Sequence, residues 1–377
     1  MKIPFNKPYL QGKELTYIVE AVACGKISGD GIFSKKCQEF FQAKYQFHRT
    51  FLTTSCTDAL EMSALLLNIS PGDEVILPSF TFASTANAFA LRGAKLVFAD
   101  SSPEHPNIEN ELIGELITPR TKAIVVVHYA GMACNMEKIM MLAQSHQIHV
   151  VEDAAQAIDS FYKGKPLGSF GTLAAFSFHE TKNIISGEGG LLSVNHSDYV
   201  KRAEIIREKG TNRSAFFRGE IDKYGWVDLG SSFLPSELNA AYLYAQLEFM
   251  QTIQSKRIYI WSKYMQTLEP FLQQQQVGVP KIPDGATNNG HMFYLVCRSL
   301  EERQNLIQYL NRRGIMTAFH YQSLHKSAYY LDRHDGRVLK NSDRFSDCLL
   351  RLPLYYEMED HQIDLIASSV IDFYQSA

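Results

Sequence analysis

Lys182 stands in the stretch FHETKNIISGEGG, residues 178–190, between a polar, aromatic approach and a glycine-rich exit. Other polar clusters supply an aspartate three residues before a glutamine, Asp153 and Gln156, and a loop phenylalanine, Phe80 or Phe82. Hydroxyls fall near a helix start at Ser55 and Thr57, and Ser177 lies five residues ahead of the lysine. An amine forms a Schiff base with an aldehyde and, once released, carries a proton; a carboxylate pairs with a protonated ring nitrogen. An aromatic face stacks on a flat heterocycle, and backbone N–H groups at a helix start hold phosphate. Pyridoxal phosphate needs all of these together, so the set points to that cofactor.

Each residue alone also has a plainer reading. Most loop lysines are solvated, and an aspartate at a strand end often caps a helix, as Ser55, Thr57 and Asp58 would in TTSCTDAL without any ligand. A phenylalanine after a buried strand is commonly core, and periodicity leaves the choice between Phe80 and Phe82 open.

Short apolar runs alternate with helical patterns from about residue 50: TFLTTS, then CTDALEMSALLLNI; DEVILPS, then FASTANAFALRG and KLVFAD; TKAIVVVHYAG, then MEKIMMLAQSHQ and IHVVEDAA. Runs such as AIVVV lack polar alternation, as expected of parallel strands buried on both faces. The fold class is therefore α/β with a mainly parallel sheet between helices. SFT, HYAG and EDAAQ each sit just past a strand, where open parallel sheets bind ligands, so they should converge on one pocket. An N-terminal helix is expected over residues 12–24, and one long helix over 236–266 with Ser236 as its cap. After the QQQQVGVPKIPDG connection, the remainder reads as strand, helix, strand. A large domain over 1–250 and a smaller C-terminal α/β domain over 251–377 follow.

With 377 residues the chain can bury a large core without disulfides. Its 37 basic and 40 acidic residues, net charge −3, argue against nucleic acid as a partner while permitting a local basic pocket. Six cysteines without a CxxC pair give no metal or redox motif and suit reduced thiols. MKIPFNKPYL has no apolar run of signal-peptide length and no later stretch approaches a membrane span, so a soluble cytoplasmic protein is expected.

Seven segments together resemble the DegT/DnrJ/EryC1/StrS sugar aminotransferases: IPFNKPYLQGKE, SGDGIFSKKCQEFF, TTSCTDAL, PGDEVILPSFTFASTANA, VVEDAAQAIDSFYKGKPLGSFG, FSFHETKNIISGEGG and LRLPLYY. The resemblance implies a fold type I, pyridoxal phosphate-dependent transaminase, at least a homodimer. Its implied reaction moves the amino group of L-glutamate to C4 of a dTDP-4-keto-6-deoxyhexose, giving the galactose-configured 4-amino-4,6-dideoxy sugar used in enterobacterial surface glycans. The 4-amino glucose epimer and a 3-amino sugar are the alternatives within the class. Related sugar dehydratases carry another residue, typically histidine, at the Schiff-base position, so Lys182 opposes that reading.

Carried over residue by residue, the resemblance makes Lys182 the Schiff-base lysine, Asp153 the pyridinium partner, Gln156 the contact to the ring 3-oxygen and Phe82 the stacking ring. Cys56, Thr57, Asp58 and Ser177 fall at the phosphate. Where many members have a run close to GYNYRMSEL that enters the neighbouring subunit's phosphate site, this chain has GSSFLPSEL, leaving Ser232 as the hydroxyl for that contact. Lys209, Arg213 and Arg218 in REKGTNRSAFFRG would meet the nucleotide diphosphate, although such a charge run is usually solvated. His320, Tyr321 and His325 in FHYQSLH would line the sugar mouth; two histidines without a carboxylate or cysteine at ligand spacing do not make a metal site.

Overall fold

The valine- and isoleucine-rich runs pair with one another because only a sheet covered on both faces can bury them whole. A computed structural model of the chain describes residues 2–376. Its strands are β1 (Arg49–Thr53), β2 (Glu74–Pro78), β3 (Lys95–Ala99), β4 (Thr121–Val127), β5 (His149–Asp153), a small hairpin β6–β7 (Phe161–Tyr162, Lys165–Pro166), β8 (Leu173–Ser177), β9 (Gly190–Val194), β10 (Phe293–Val296), β11 (Ala318–Phe319) and β12 (Leu349–Leu352). The helices are α1 (Glu14–Ala23), α2 (Ile32–Tyr45), α3 (Cys56–Leu66), α4 (Ala83–Ala90), α5 (Asn110–Leu116), α6 (Met136–Ser145), α7 (Val200–Arg207) and α8 (Arg213–Phe217). Then come α9 (Glu237–Glu248), α10 (Met250–Gln274), α11 (Leu300–Arg312), α12 (Lys340–Cys348) and α13 (Asp360–Gln375).

Seven strands form one sheet in the order β1-β9-β8-β5-β4-β2-β3. The pairs among β3, β2, β4, β5 and β8 are parallel, and β9 runs antiparallel to both β8 and β1. Successive side chains leave a strand on opposite faces, so Val75 and Leu77 enter one core while Ile76 enters the other. The first core is closed by α2, α6 and α9, the second by α3, α4 and α7. A three-stranded antiparallel sheet, β10-β12-β11, packs with α10, α11 and α13 around a third core, which also takes Ile3.

Two elements differ from the sequence expectation. The helical stretch from Ser236 is two helices: Ser236 caps α9 by accepting from the Asn239 N–H at 3.4 Å, but Phe249 leaves the helix at ψ 6°. The turn sends α9 against α1 and α2 and α10 against α13, two packings that one straight helix cannot reach together. The strand expected after α11 is only the two residues of β11, because His320 and Tyr321 turn away into a cleft, and α12, β12 and α13 follow where no further element was expected.

The strand end that carries Asp153 is braced from below. Glu152 is fully buried; its carboxylate accepts from the Gly168, Phe170 and Gly171 N–H groups at 2.7, 2.8 and 2.7 Å and meets His128 Nε2 at 3.0 Å. The His128 N–H in turn donates to the Asp153 carbonyl at 3.2 Å. Glu152→Ala leaves three buried N–H groups and a buried imidazole without their acceptor, and should cost about 3–5 kcal/mol, read as a lower midpoint in urea unfolding.

Candidate active site

Five strand-to-helix or strand-to-loop junctions open onto one cleft of about 800 Å³. The cleft is where β5, β8 and the turn into α3 end, as expected beyond the carboxyl ends of parallel strands. Of the residues singled out in the sequence, Cys56, Thr57, Phe82, Asp153, Gln156, Ser177, Lys182, His320 and Tyr321 all line it.

Lys182 reaches the cleft from the loop after β8, and its own N–H donates to the His179 carbonyl at 2.9 Å. Burial depresses the pKa of its amine; Cys56 and Asp153 pull the other way, and Arg351 adds a smaller depression. A lysine so placed holds its neutral, nucleophilic form at a lower pH than a solvated one.

Asp153 ends β5 and is buried. Oδ2 accepts from Thr85 Oγ1 at 2.7 Å and Oδ1 from the Ala155 N–H at 3.1 Å, and Thr85 is itself tied to Thr81 at 2.8 Å. Burial raises its pKa, opposed by those two hydrogen bonds and by Lys182 and His128. Two of the carboxylate's four lone-pair positions stay open, so a cation at the cleft floor would find an oriented anion. Gln156 is also buried: Oε1 accepts from the Ala130 N–H at 2.6 Å, which fixes the amide so that Nε2 points toward Tyr321 Oη at 3.1 Å.

The choice between the two phenylalanines follows from β2. Phe80 is 1% exposed and packs with Tyr129, Tyr321 and Phe345, while Phe82, at the N-terminus of α4, is 59% exposed with its ring facing the cleft. At the start of α3, Ser55 Oγ accepts from the Asp58 N–H at 3.1 Å, which leaves other first-turn N–H groups facing the cleft between Cys56 and Ser177. Thr57 Oγ1 donates to Ser84 Oγ at 2.8 Å and so joins α3 to α4. Gly190 permits this turn: a Cβ there would lie 2.3 Å from the Ser55 carbonyl carbon and 2.5 Å from the Cys56 nitrogen. Burial pushes the Cys56 thiol well above its ordinary value, so it contributes backbone and bulk, not a nucleophile.

Six expected site residues lie elsewhere within the chain. The Asp58 carboxyl bonds to Thr54 Oγ1, and burial with the neighbouring Glu61 raises its pKa to about 6. His325 is buried under the cleft, its Nδ1 2.7 Å from Ser79 Oγ, where it joins the loop after β11 to the end of β2. Lys209 does not line the cleft; its N–H donates to the Ser231 carbonyl at 2.9 Å. Arg213 and Arg218 are paired with acids of their own neighbourhood, Arg213 with Glu208 at 3.8 Å and Arg218 with Glu204 at 3.0 Å and Glu220 at 2.6 Å. Ser232 is exposed and bridged to Glu208, on the same side as that loop.

The cleft also contains residues that the sequence reading passed over. Phe5 and Asn6 cross its mouth, with Asn6 Nδ2 donating to the Glu180 carbonyl at 3.1 Å. His291 meets Asn183 Oδ1 at 2.7 Å, and His320 lies 3.0 Å from Tyr129 Oη and stacks on Tyr321; burial holds both imidazoles well below their ordinary pKa, hence neutral. Arg351 enters from β12, and a lone arginine in the apolar run LLRLPL was the sequence signal for it.

The set satisfies the requirements of pyridoxal phosphate: a desolvated amine, a buried carboxylate with free acceptor positions, an exposed ring above the floor and a helix start. Among the described residues, no helix is long and apolar enough to cross a membrane. Solved aminotransferases share the whole architecture. TlmJ from Streptoalloteichus hindustanus is 27% identical, with a TM-score of 0.91 over 100% of both chains. DesV from S. venezuelae is 27% identical, with a TM-score of 0.91 over 99% of each. Helicobacter pylori PseC, an aminotransferase involved in the biosynthesis of pseudoaminic acid, has the same fold at 24% identity and a TM-score of 0.88 over 100% of both chains. The model of the DegT/DnrJ/EryC1/StrS aminotransferase family matches residues 8–371, and the chain is a member of that family, a pyridoxal phosphate-dependent sugar aminotransferase.

Proposed function

We propose that this aminotransferase moves the amino group of L-glutamate to C4 of a dTDP-4-keto-6-deoxyhexose and delivers the galactose-configured 4-amino-4,6-dideoxy sugar for surface-glycan synthesis in the cytoplasm. The observation that carries the reading is the convergence of Lys182, Asp153, Gln156 and Phe82 on one cleft with a helix start beside them. Pyridoxal phosphate, when bound, supplies the carbonyl that carries the amino group and the ring that accepts electron density.

The chain's own groups do the rest. Lys182 Nζ anchors the cofactor and, when released, carries the proton to and from the substrate carbon; its depressed pKa leaves a lone pair available for that transfer. With the cofactor bound, Asp153 would pair with its ring nitrogen and favour the protonated form, and Thr85 and Ala155 keep the carboxylate from rotating away. Gln156 Nε2 would donate to the ring oxygen, and Phe82, whose side chain lines the cleft, would cover one face. The α3 start and Ser177 seat the phosphate. Neutral His320, held by Tyr129, orients the sugar's polar groups.

For the nucleotide end we propose a homodimer in which Ser232, Lys209, Arg213 and Arg218 face the neighbouring subunit's cleft. Phe217, Trp226 and Val227 are exposed in and beside that loop, and exposed large apolar side chains of this kind suit a partner.

Incubation with L-glutamate and dTDP-4-keto-6-deoxyglucose tests the reading. Proton couplings in the product are expected to report an axial amine at C4. An equatorial amine selects the glucose epimer, and no conversion of the 4-keto sugar alongside amination of the 3-keto isomer overturns the assigned position.

A further inference from the structure

His291 stands in the connection that leads into β10, and its backbone is fixed on α10, where the Arg257 guanidinium donates to the Gly290 and His291 carbonyls at 3.1 and 2.8 Å. The residue is 8% exposed and lines the cleft. Which of its ring nitrogens carries the hydrogen follows from Asn183, the residue after Lys182. The Asn183 Nδ2 group has two hydrogens and uses both, on Gln254 Oε1 and the Asn289 carbonyl, each at 2.8 Å. Its Oδ1 is therefore the atom that meets His291 Nδ1 at 2.7 Å, and an oxygen there requires Nδ1 to donate. Burial and the nearby charges of Lys182 and Arg257 keep the ring neutral, so Nε2 has a lone pair and no hydrogen. Among the described residues no group donates to Nε2. A buried acceptor left without a donor costs stability until a ligand supplies one.

We propose that His291 Nε2 accepts a hydrogen bond from the C3 hydroxyl of the hexose and so selects sugars that carry one. The assignment rests on the reading of the acceptor as a 4-keto-6-deoxy sugar. The cofactor's ring oxygen, both carboxylates of L-glutamate and the keto oxygen offer only lone pairs, so none of them can answer a bare acceptor. A hydroxyl of the hexose can. A 4-keto-6-deoxyhexose linked through C1 has hydroxyls only at C2 and C3, and its keto carbon has to come to the amine at Lys182, so the C3 hydroxyl is the one on the adjacent carbon. Asn183 holds the imidazole to the loop that carries that lysine, which keeps the acceptor and the amine in one frame. The Lys182 amine is the competing donor, but it would engage Nε2 equally whichever sugar is bound.

The test compares dTDP-4-keto-6-deoxyglucose with its 3-deoxy analogue, using pyridoxal phosphate-loaded enzyme and L-glutamate. The unaltered protein should prefer the 3-hydroxy sugar by about 10-fold in kcat/KM, the scale of one hydrogen bond whose partner is otherwise left unpaired. His291→Asn keeps an N–H near Nδ1 for Asn183 and has no atom at the Nε2 position, so the preference should vanish. His291→Gln, whose amide oxygen reaches the Nε2 position, should retain most of it. Equal kcat/KM for the two sugars with the unaltered enzyme overturns the assignment, a result that needs no variant to fold. A preference retained by His291→Asn, with both sugars slowed alike, moves His291 to the Lys182 amine and overturns it while the acceptor reading stands. A preference lost as fully in the glutamine variant as in the asparagine one makes the effect one of packing and overturns it too. If the unaltered enzyme aminates neither 4-keto sugar and does aminate the 3-keto isomer, the acceptor reading and the assignment fall together.

Discussion

Lys182→Ala should reduce transamination by at least about 10⁴-fold, because one side chain anchors the cofactor and moves the proton, and loss of either role alone costs about 10²–10⁴. Borohydride treatment should then leave no cofactor attached to the protein, and product formation from L-glutamate should fall to the level of free pyridoxal phosphate. The fold should survive. Burial depresses the pKa of Lys182, so at pH values below the folded pKa the native state carries a charged amine it would rather shed. The alanine variant without cofactor should therefore unfold at a temperature equal to or above that of the unaltered protein near neutral pH. The sign follows from proton counts: the unfolded chain binds more protons in the window between the depressed value and 10.5, so the unaltered protein gains stability as pH rises through it. The difference between the two proteins should shrink over the same window. Native-rate transamination by the variant would remove Lys182 from the chemistry.

Asp153→Asn should lower kcat by about 10²–10³, the scale of losing one preorganised electrostatic partner in a buried site. An amide keeps an acceptor for the Ala155 N–H and a polar contact to Thr85, so the local backbone has little reason to move. It cannot balance a protonated ring nitrogen. The raised pKa of Asp153 means that, without cofactor, the native state holds this proton better than the unfolded chain does. That contribution is present below 3.8 and is lost as pH rises through the folded value, so near neutral pH the carboxylate stabilises nothing until a cation reaches it. The asparagine variant should match the unaltered protein in melting temperature without cofactor and gain less when pyridoxal phosphate is added. Normal turnover with a normal cofactor-dependent rise would dismiss the assigned role.

The parts of the chain that could be read from sequence are those in which one physical demand dominates. AIVVV and HVVED have to be buried on both faces, and β4 and β5 are. Asp153, Gln156 and Lys182 lie at strand ends, where the sheet leaves its ligand crevice, and they meet there. Legibility failed where two demands share one pattern. The turn at Phe249 contains neither glycine nor proline; it is set by which surfaces α9 and α10 must cover, and no local residue signals it. Lys209, Arg213 and Arg218 form a basic run that looks the same whether it binds phosphate, is solvated or, as for the two arginines here, sits against Glu204, Glu208 and Glu220. His325 looks like a site histidine because it follows His320 closely, yet an intervening turn buries it against Ser79. Arg351 was the opposite case: it stands alone in the apolar run LLRLPL, and only the pairing of β12 shows that it lines the cleft.

The antiparallel pairing of β1 with β9 sets the order in which the molecule can be made. Thr53 lies against Gly190, and Arg49 against Val194, so the first strand of the main sheet finds its neighbour only after roughly 140 further residues have left the ribosome. Until then the turn at Ser55 and Cys56 has no backing. Binding of the cofactor therefore follows the arrival of β9, and the nascent chain must keep an unpaired strand edge from meeting other chains for more than a third of its synthesis.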